Sequence, residues 1–318
     1  INSLLLESCL YSDLETIQWV YDNHNINMEF FNNDNFFKIF KTFNIDIIDW
    51  FYNKNKSIDL NREDGYLLKL SCTMNKYYIV EWLIEKKDVN IAVDDYICFK
   101  FSCYNQNLAI LKLLYRFNDQ INFNTDNDYL FKISSTNNDF GTFKWIYNRA
   151  ESVDLIRFNY LYFKNAVLHD NINFLEFLIK KSNIESINFC NNFLVRSCLQ
   201  YNRIDILKYL LDNYVIDIKF NSNFCIKYVV EDDNLDLLKL FYNYDNNIDL
   251  SINNEYLFIT ACLNNNIEMV KWLIEKKSDI NISIYNDYTF FQVCNLNLIE
   301  IAEYFKSLKP DYFFFEIE

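Results

Sequence analysis

The chain has 318 residues, 51% of them hydrophobic and 23% charged, with a net charge of -14, two glycines and one proline. Phosphate-binding loops, dinucleotide fingerprints and nucleophile elbows need glycines at fixed offsets, and Gly65 and Gly141 cannot supply them. The negative charge argues against a nucleic-acid or anionic-membrane partner, and no run of roughly 18 apolar residues is available to span a bilayer.

From the N-terminus, Trp19, Trp50, Trp82, Trp145 and Trp272 fall one, one, two and four units of about 32 residues apart. Stepping by that unit places Leu113, Phe177, Tyr209, Leu240 and Tyr304 in the same column, so about ten copies cover the chain. Each anchor sits among apolar residues spaced by three, such as Leu14, Ile17 and Val20 in the first copy and Ile267, Val270 and Leu273 in the ninth. The opposite stripe is polar, as at Gln18, Glu81, Lys144 and Lys271. This pattern predicts an amphipathic helix in every copy.

A second, more apolar helix is expected ahead of each anchor helix, for example over Tyr66–Thr73, Tyr129–Ser135, Phe193–Leu199 and Tyr256–Cys262. Asp128, Asn192, Asn223 and Asp287 stand just before such helices, where an N-cap is expected. The turn between the two helices carries Asn75, Asn138, Asp170, Asn202, Asp233, Asn265 or Asn297, the non-glycine types that best tolerate positive φ. Copies are joined by short apolar–Asn/Asp–apolar segments such as Ile216-Asp217-Ile218 and Ile280-Asn281-Ile282, which predict an extended, hairpin-like finger.

Two helices and a finger at this period resemble the ankyrin repeat. Tyr256–Cys262 sits where that family has its first helix, Asn265-Asn266 where it has Gly-His, Ile267–Ile274 on its second helix, and Ser278-Asp279-Ile280-Asn281 on its finger. The Thr-Pro helix start is replaced by Tyr, Phe or Leu. The histidine slot is basic, with Lys69, Lys100, Lys132, Lys164, Arg196 and Lys227. The resemblance implies an all-α fold: one ankyrin-like α-solenoid over residues 1–318, with atypical first and last repeats as caps. The A/T-rich codon vocabulary is similar to that of ankyrin-repeat proteins of giant viruses that infect amoebae.

Nothing in the sequence assembles a catalytic constellation, so the chain is read as non-enzymatic, with no cofactor and no metal. Cys9, Cys72, Cys103, Cys262 and Cys294 share one column and read as small buried residues, and no C-x-x-C pair marks a zinc site. Nine unpaired thiols fit a reducing, intracellular setting. The start at Ile1 rather than Met leads us to expect a trimmed or partial product, with the presence of an upstream domain left open. The basic column reads as stems packed on neighbouring repeats with their charges in water or balanced by finger acids, against the alternative of a basic ridge for an acidic partner.

What the resemblance implies is a scaffold that binds a protein partner through finger tips and the concave first-helix face. Asp94, Asp95, Asn127, Asp128, Asn191, Asn192, Asn223, Asn254 and Asp287 are the expected tip residues. Two alternatives are a structural virion or assembly component and an adaptor that brings a host target to a ubiquitin ligase. A monomer is expected, with self-association through the aromatic tail Phe313–Phe315 as the competing outcome.

Overall fold

The structure, a computed structural model, describes residues 2–86, 89–123, 125–182, 184 and 186–312, without the side chains of 28, 125–127, 157 and 189–191. The tail Phe313–Phe315 therefore lies outside the described residues. Among the described residues there are twenty α-helices, one short 3-10 helix over Met28–Phe30, and no strand. The helices come in ten consecutive pairs, as the period predicts.

Contacts divide the chain into two compact units, 1–157 and 158–318. The first unit holds α1 (Asn2–Tyr11), α2 (Leu14–Asn23), α3 (Asn33–Phe40), α4 (Ile45–Lys54), α5 (Arg62–Thr73), α6 (Tyr77–Glu85), α7 (Val93–Tyr104), α8 (Leu108–Phe117), α9 (Thr125–Thr136) and α10 (Phe140–Tyr147). The second holds α11 (Arg157–Leu168, which begins at the boundary), α12 (Ile172–Lys181), α13 (Phe189–Gln200), α14 (Ile204–Asn213) and α15 (Phe220–Glu231). It continues through α16 (Leu235–Tyr244), α17 (Ile252–Leu263), α18 (Ile267–Lys276), α19 (Ile284–Asn295) and α20 (Ile299–Leu308). Odd-numbered helices open a repeat and even-numbered helices close it.

The turn inside each repeat follows from its asparagines. All seven predicted residues have positive φ, from +52° at Asn202 to +60° at Asn265. Phe43 and Gln106 hold the same conformation in the second and fourth copies, at +53° and +56°. The residue that follows each turn residue takes the N-cap position of the closing helix. Asn107, Asp139, Asn171, Asn234 and Asn266 each accept the amide three residues on, satisfying a donor that the first turn leaves open.

The expectation for the opening helices needs correction. Asp128, Asn192, Asn223 and Asp287 are not N-caps in extended backbone; their φ values are +59°, +52°, +63° and +61°. Six opening helices begin with three successive left-handed residues, such as Asp94-Asp95-Tyr96 and Asn253-Asn254-Glu255. Such runs cost roughly 1–2 kcal/mol per ordinary residue. Asn and Asp fill many of these slots, which gives their abundance a physical role in a glycine-poor chain. Gly65 is the one glycine used this way, at φ +70°, and a Cβ there would also press to 3.3 Å from Val93.

The fingers form turns without strand pairing among the described residues. Asp59, Asn90, Asp154, Asp217, Asp249 and Asn281 each accept the amide two residues on, an Asx turn that replaces the ladder of a hairpin.

Repeats are tied by packing and by polar bonds. Phe99, Cys103, Leu111 and Leu114 are buried in the first unit, as are Phe258, Cys262, Val270 and Leu273 in the second. Four of the five column tryptophans pack between repeats, whereas Trp19 in the first copy is 62% exposed and meets His24 of its own repeat edge to face. Tyr21–Trp50, Tyr52–Trp82, Tyr115–Trp145 and Tyr242–Trp272 meet edge to face, with centroids 5.3–5.5 Å apart. Lys54, Lys86 and Arg149 lie over the Trp faces at 5.2, 4.6 and 4.1 Å. Asn105, Asn137 and Asn264 donate to carbonyls at the end of the preceding opening helix, closing acceptors that the helix cannot satisfy.

Candidate functional site

The left-handed triplets set which tip residues face out. The first two residues are mostly exposed and the third turns inward. Asp94, Asp95 and Asn254 are exposed on that rule. Asn127 and Asn191 occupy the middle position, but their side chains lie outside the described residues. Asn223 and Asp287 are third residues and half-buried. Asp128 and Asn192, also third, are only 4% and 2% exposed and present no side chain to a partner.

The inward residues do structural work instead. Asn192 donates to the Asp217 carbonyl at 2.7 Å, and its own Oδ1 is buried without a partner. Glu255, in the same position, accepts the Asn281 amide at 3.2 Å. Asp287 accepts from the Tyr312 hydroxyl and from Lys309 Nζ at 3.2 Å, and the Tyr312 bond is the main reason its carboxyl titrates below the usual range.

The triplet rule also finds outward residues that sequence reading missed: Glu63, Asp64, Asn159, Asn221, Ser222, Asn253 and Asn286. Stepping one period from Asp95 or Asn254 reaches the middle residues among them, so the signal was present in the register.

Two outward acids in the first unit already have partners. Asp94 pairs with Lys69 at 2.7 Å and Asp95 with Lys100 at 3.7 Å. This is the balanced reading of the basic column. It does not extend to the second unit, where Lys164, Arg196 and Lys227 form no ion pair among the described residues.

The cysteines behave as buried residues. Cys9, Cys72, Cys98, Cys103, Cys198, Cys225 and Cys262 are buried, and Cys294 is half-buried. Burial pushes the thiols of Cys9, Cys103, Cys198 and Cys225 up to about 12, which leaves almost no nucleophilic thiolate at neutral pH. Among the described residues no group of three or more His, Cys, Asp or Glu could hold a metal ion. No helix among them is long and apolar enough to cross a membrane. A groove of about 590 Å³ between α14 and α16 mixes Lys208 and Lys239 with Asp236 and so selects no charge.

Residues 226–274 match the family model of ankyrin repeats (many copies). That match and the repeated helix pairs support an ankyrin-repeat family. No curated protein matches the chain.

Proposed function

We propose that the chain is a non-enzymatic scaffold, a single repeat array over residues 1–318 that holds a protein partner against its tips and opening helices. Ankyrin repeats generally mediate protein–protein interaction. The observation that carries the reading is the exposure of the middle triplet residue at Asp64, Asp95, Asn159, Ser222, Asn254 and Asn286. A backbone held by cross-repeat bonds thus offers one variable side chain per repeat at regular spacing. Loops on a rigid scaffold are where binding residues concentrate, and preorganisation limits the entropy lost on binding. Reduced, buried thiols fit an intracellular location.

The test is affinity capture from cell lysate with identification by mass spectrometry. The wild-type chain is compared with a variant carrying Asp95→Ala, Ser222→Ala and Asn254→Ala. A partner lost from the variant supports the tip reading. Retention of every partner moves the contact elsewhere.

One observation favours a second reading, assembly with other copies. Tyr288, Phe291 and Ile299 in the last repeat are exposed, whereas Tyr256, Ile259 and Ile267 one repeat earlier are half-buried. Sedimentation of the wild-type chain against Ile299→Asp decides it: equal monomers at high concentration remove this reading.

A further inference from the structure

We propose that Lys164, Arg196 and Lys227 form a basic stripe that takes an acidic segment of a protein partner. The proposal rests on the scaffold reading and names the chemistry of one contact surface.

The three residues occupy one column on α11, α13 and α15, all in the second unit. Tyr160 of α11 meets Phe193 of α13 at 5.3 Å, and α13 packs on α15. The cations are therefore spaced at about the 8–10 Å of packed helices. Lys164 is exposed, and Arg196 and Lys227 are half-exposed.

The first unit shows what this column does when it is neutralised. Lys69 and Lys100 are held by Asp94 and Asp95. One register step at a time, the acids disappear. In place of Asp94, the residue in register for Arg196 is Asn221 and for Lys227 is Asn253; in place of Asp95 they are Asn191 and Ser222. The cations persist while their internal partners do not. Glu231, one turn beyond Lys227, is engaged by the Tyr256 hydroxyl. Lys164 Nζ lies over the Tyr201 ring at 5.9 Å. Arg196 Nε is buried with no hydrogen-bond partner, so its half-exposed side chain would take a carboxylate through the terminal guanidinium nitrogens.

A carboxylate-bearing peptide fits this pattern better than a nucleic-acid backbone. Three cations on a chain of net charge -14 give a local attraction inside a repulsive field. A short acidic segment can follow the stripe, whereas a long polyanion must pass over the surrounding acids.

The test is fluorescence anisotropy of a fluorescein-labelled polyglutamate peptide of about twelve residues, long enough when extended to cover three cations, titrated with the full 318-residue chain. The triple variant Lys164→Gln, Arg196→Gln, Lys227→Gln should weaken binding about tenfold or more and flatten its salt dependence. The double variant Lys69→Gln, Lys100→Gln should stay within about twofold, because those charges are already paired. A triple variant with Lys164→Arg, Arg196→Lys and Lys227→Arg should retain binding, which separates charge from folding.

The proposal fails if polyglutamate does not bind or if the neutral triple variant binds it equally well. It also fails if a polyuridine RNA of the same length binds more tightly than the peptide through the same residues. In the first two cases a partner captured through the tips would leave the scaffold reading standing.

Discussion

The side-chain amide of Asn266 donates to Asp233 Oδ1 at 2.8 Å while Asn266 Oδ1 accepts the Met269 amide at 2.8 Å. One residue thus starts α18 and grips the left-handed turn of the preceding repeat. Asn107 does the same, accepting from Ile110 and donating to Asn75. Stacked repeats gain stability from nearest-neighbour contacts, and this bond makes helix initiation in one repeat sensitive to the turn of the last.

Replacing Asn266 with Ser keeps an oxygen for the cap and removes the amide donor, whereas Asn266→Ala removes both. We expect Asn266→Ala to cost about 1–2 kcal/mol and Asn266→Ser to fall between that and wild type. Urea unfolding measures both. A serine variant as stable as wild type would show that the bond to Asp233 contributes nothing.

Asn265 holds φ +60° and is exposed. Glycine adopts that conformation without steric cost, so Asn265→Gly should raise stability by several tenths of a kcal/mol, up to about 1. Gly65 provides the converse. Gly65→Ala meets both φ +70° and the Val93 contact at 3.3 Å and should lose about 1 kcal/mol or more. Thermal melts read both changes, and a lower melting temperature for Asn265→Gly would contradict a left-handed turn there.

The turn residues were legible because one local property, tolerance of positive φ, recurs at a fixed interval. The Trp column was legible for a similar reason: Trp82 and Trp145 stand amid apolar residues spaced by three. The opening-helix caps were not. Asn107 and Asn192 look alike in sequence, yet one caps a helix and the other is buried in a left-handed turn, bonded to a carbonyl 25 residues away. Phe158, Tyr160 and Tyr285 have no preference for positive φ, so only tertiary context places them there. The split in the basic column also depends on pairing across repeats. Lys69 and Arg196 read alike until Asp94 and Asn221 are set against them.

Tyr115 and Trp145 offer a direct measure of coupling between repeats. Their rings meet at 5.3 Å and 89°, and Arg149 covers the Trp face at 4.1 Å. A cycle of Tyr115→Ala, Trp145→Ala and the double variant should give a coupling of about 0.5–1.5 kcal/mol. Arg149→Ala should weaken the chain by less, about 0.5–1 kcal/mol. Additive effects of Tyr115→Ala and Trp145→Ala in denaturant unfolding would show that the two rings are neighbours without a specific interaction.

Asp287 gives the last repeat a pH dependence with a defined sign. Its carboxyl is held below the ordinary range first by the Tyr312 hydroxyl and then by Ser283 and Lys309, while the Tyr312 ring stacks on Phe290 at 4.1 Å. A depressed folded value means that the contribution is fully present above the unfolded value near ~3.9 and is lost as pH falls through the folded one. The wild-type chain should therefore melt higher than Asp287→Asn at pH about 7, and the two should converge towards pH about 3. Tyr312→Phe keeps the ring and removes the leading hydrogen bond, so its loss of stability should begin at a higher pH than in wild type. Melting curves across that range provide the measurement. An offset between wild type and Asp287→Asn that stays constant with pH would mean that the carboxylate charge does not hold Tyr312 in place.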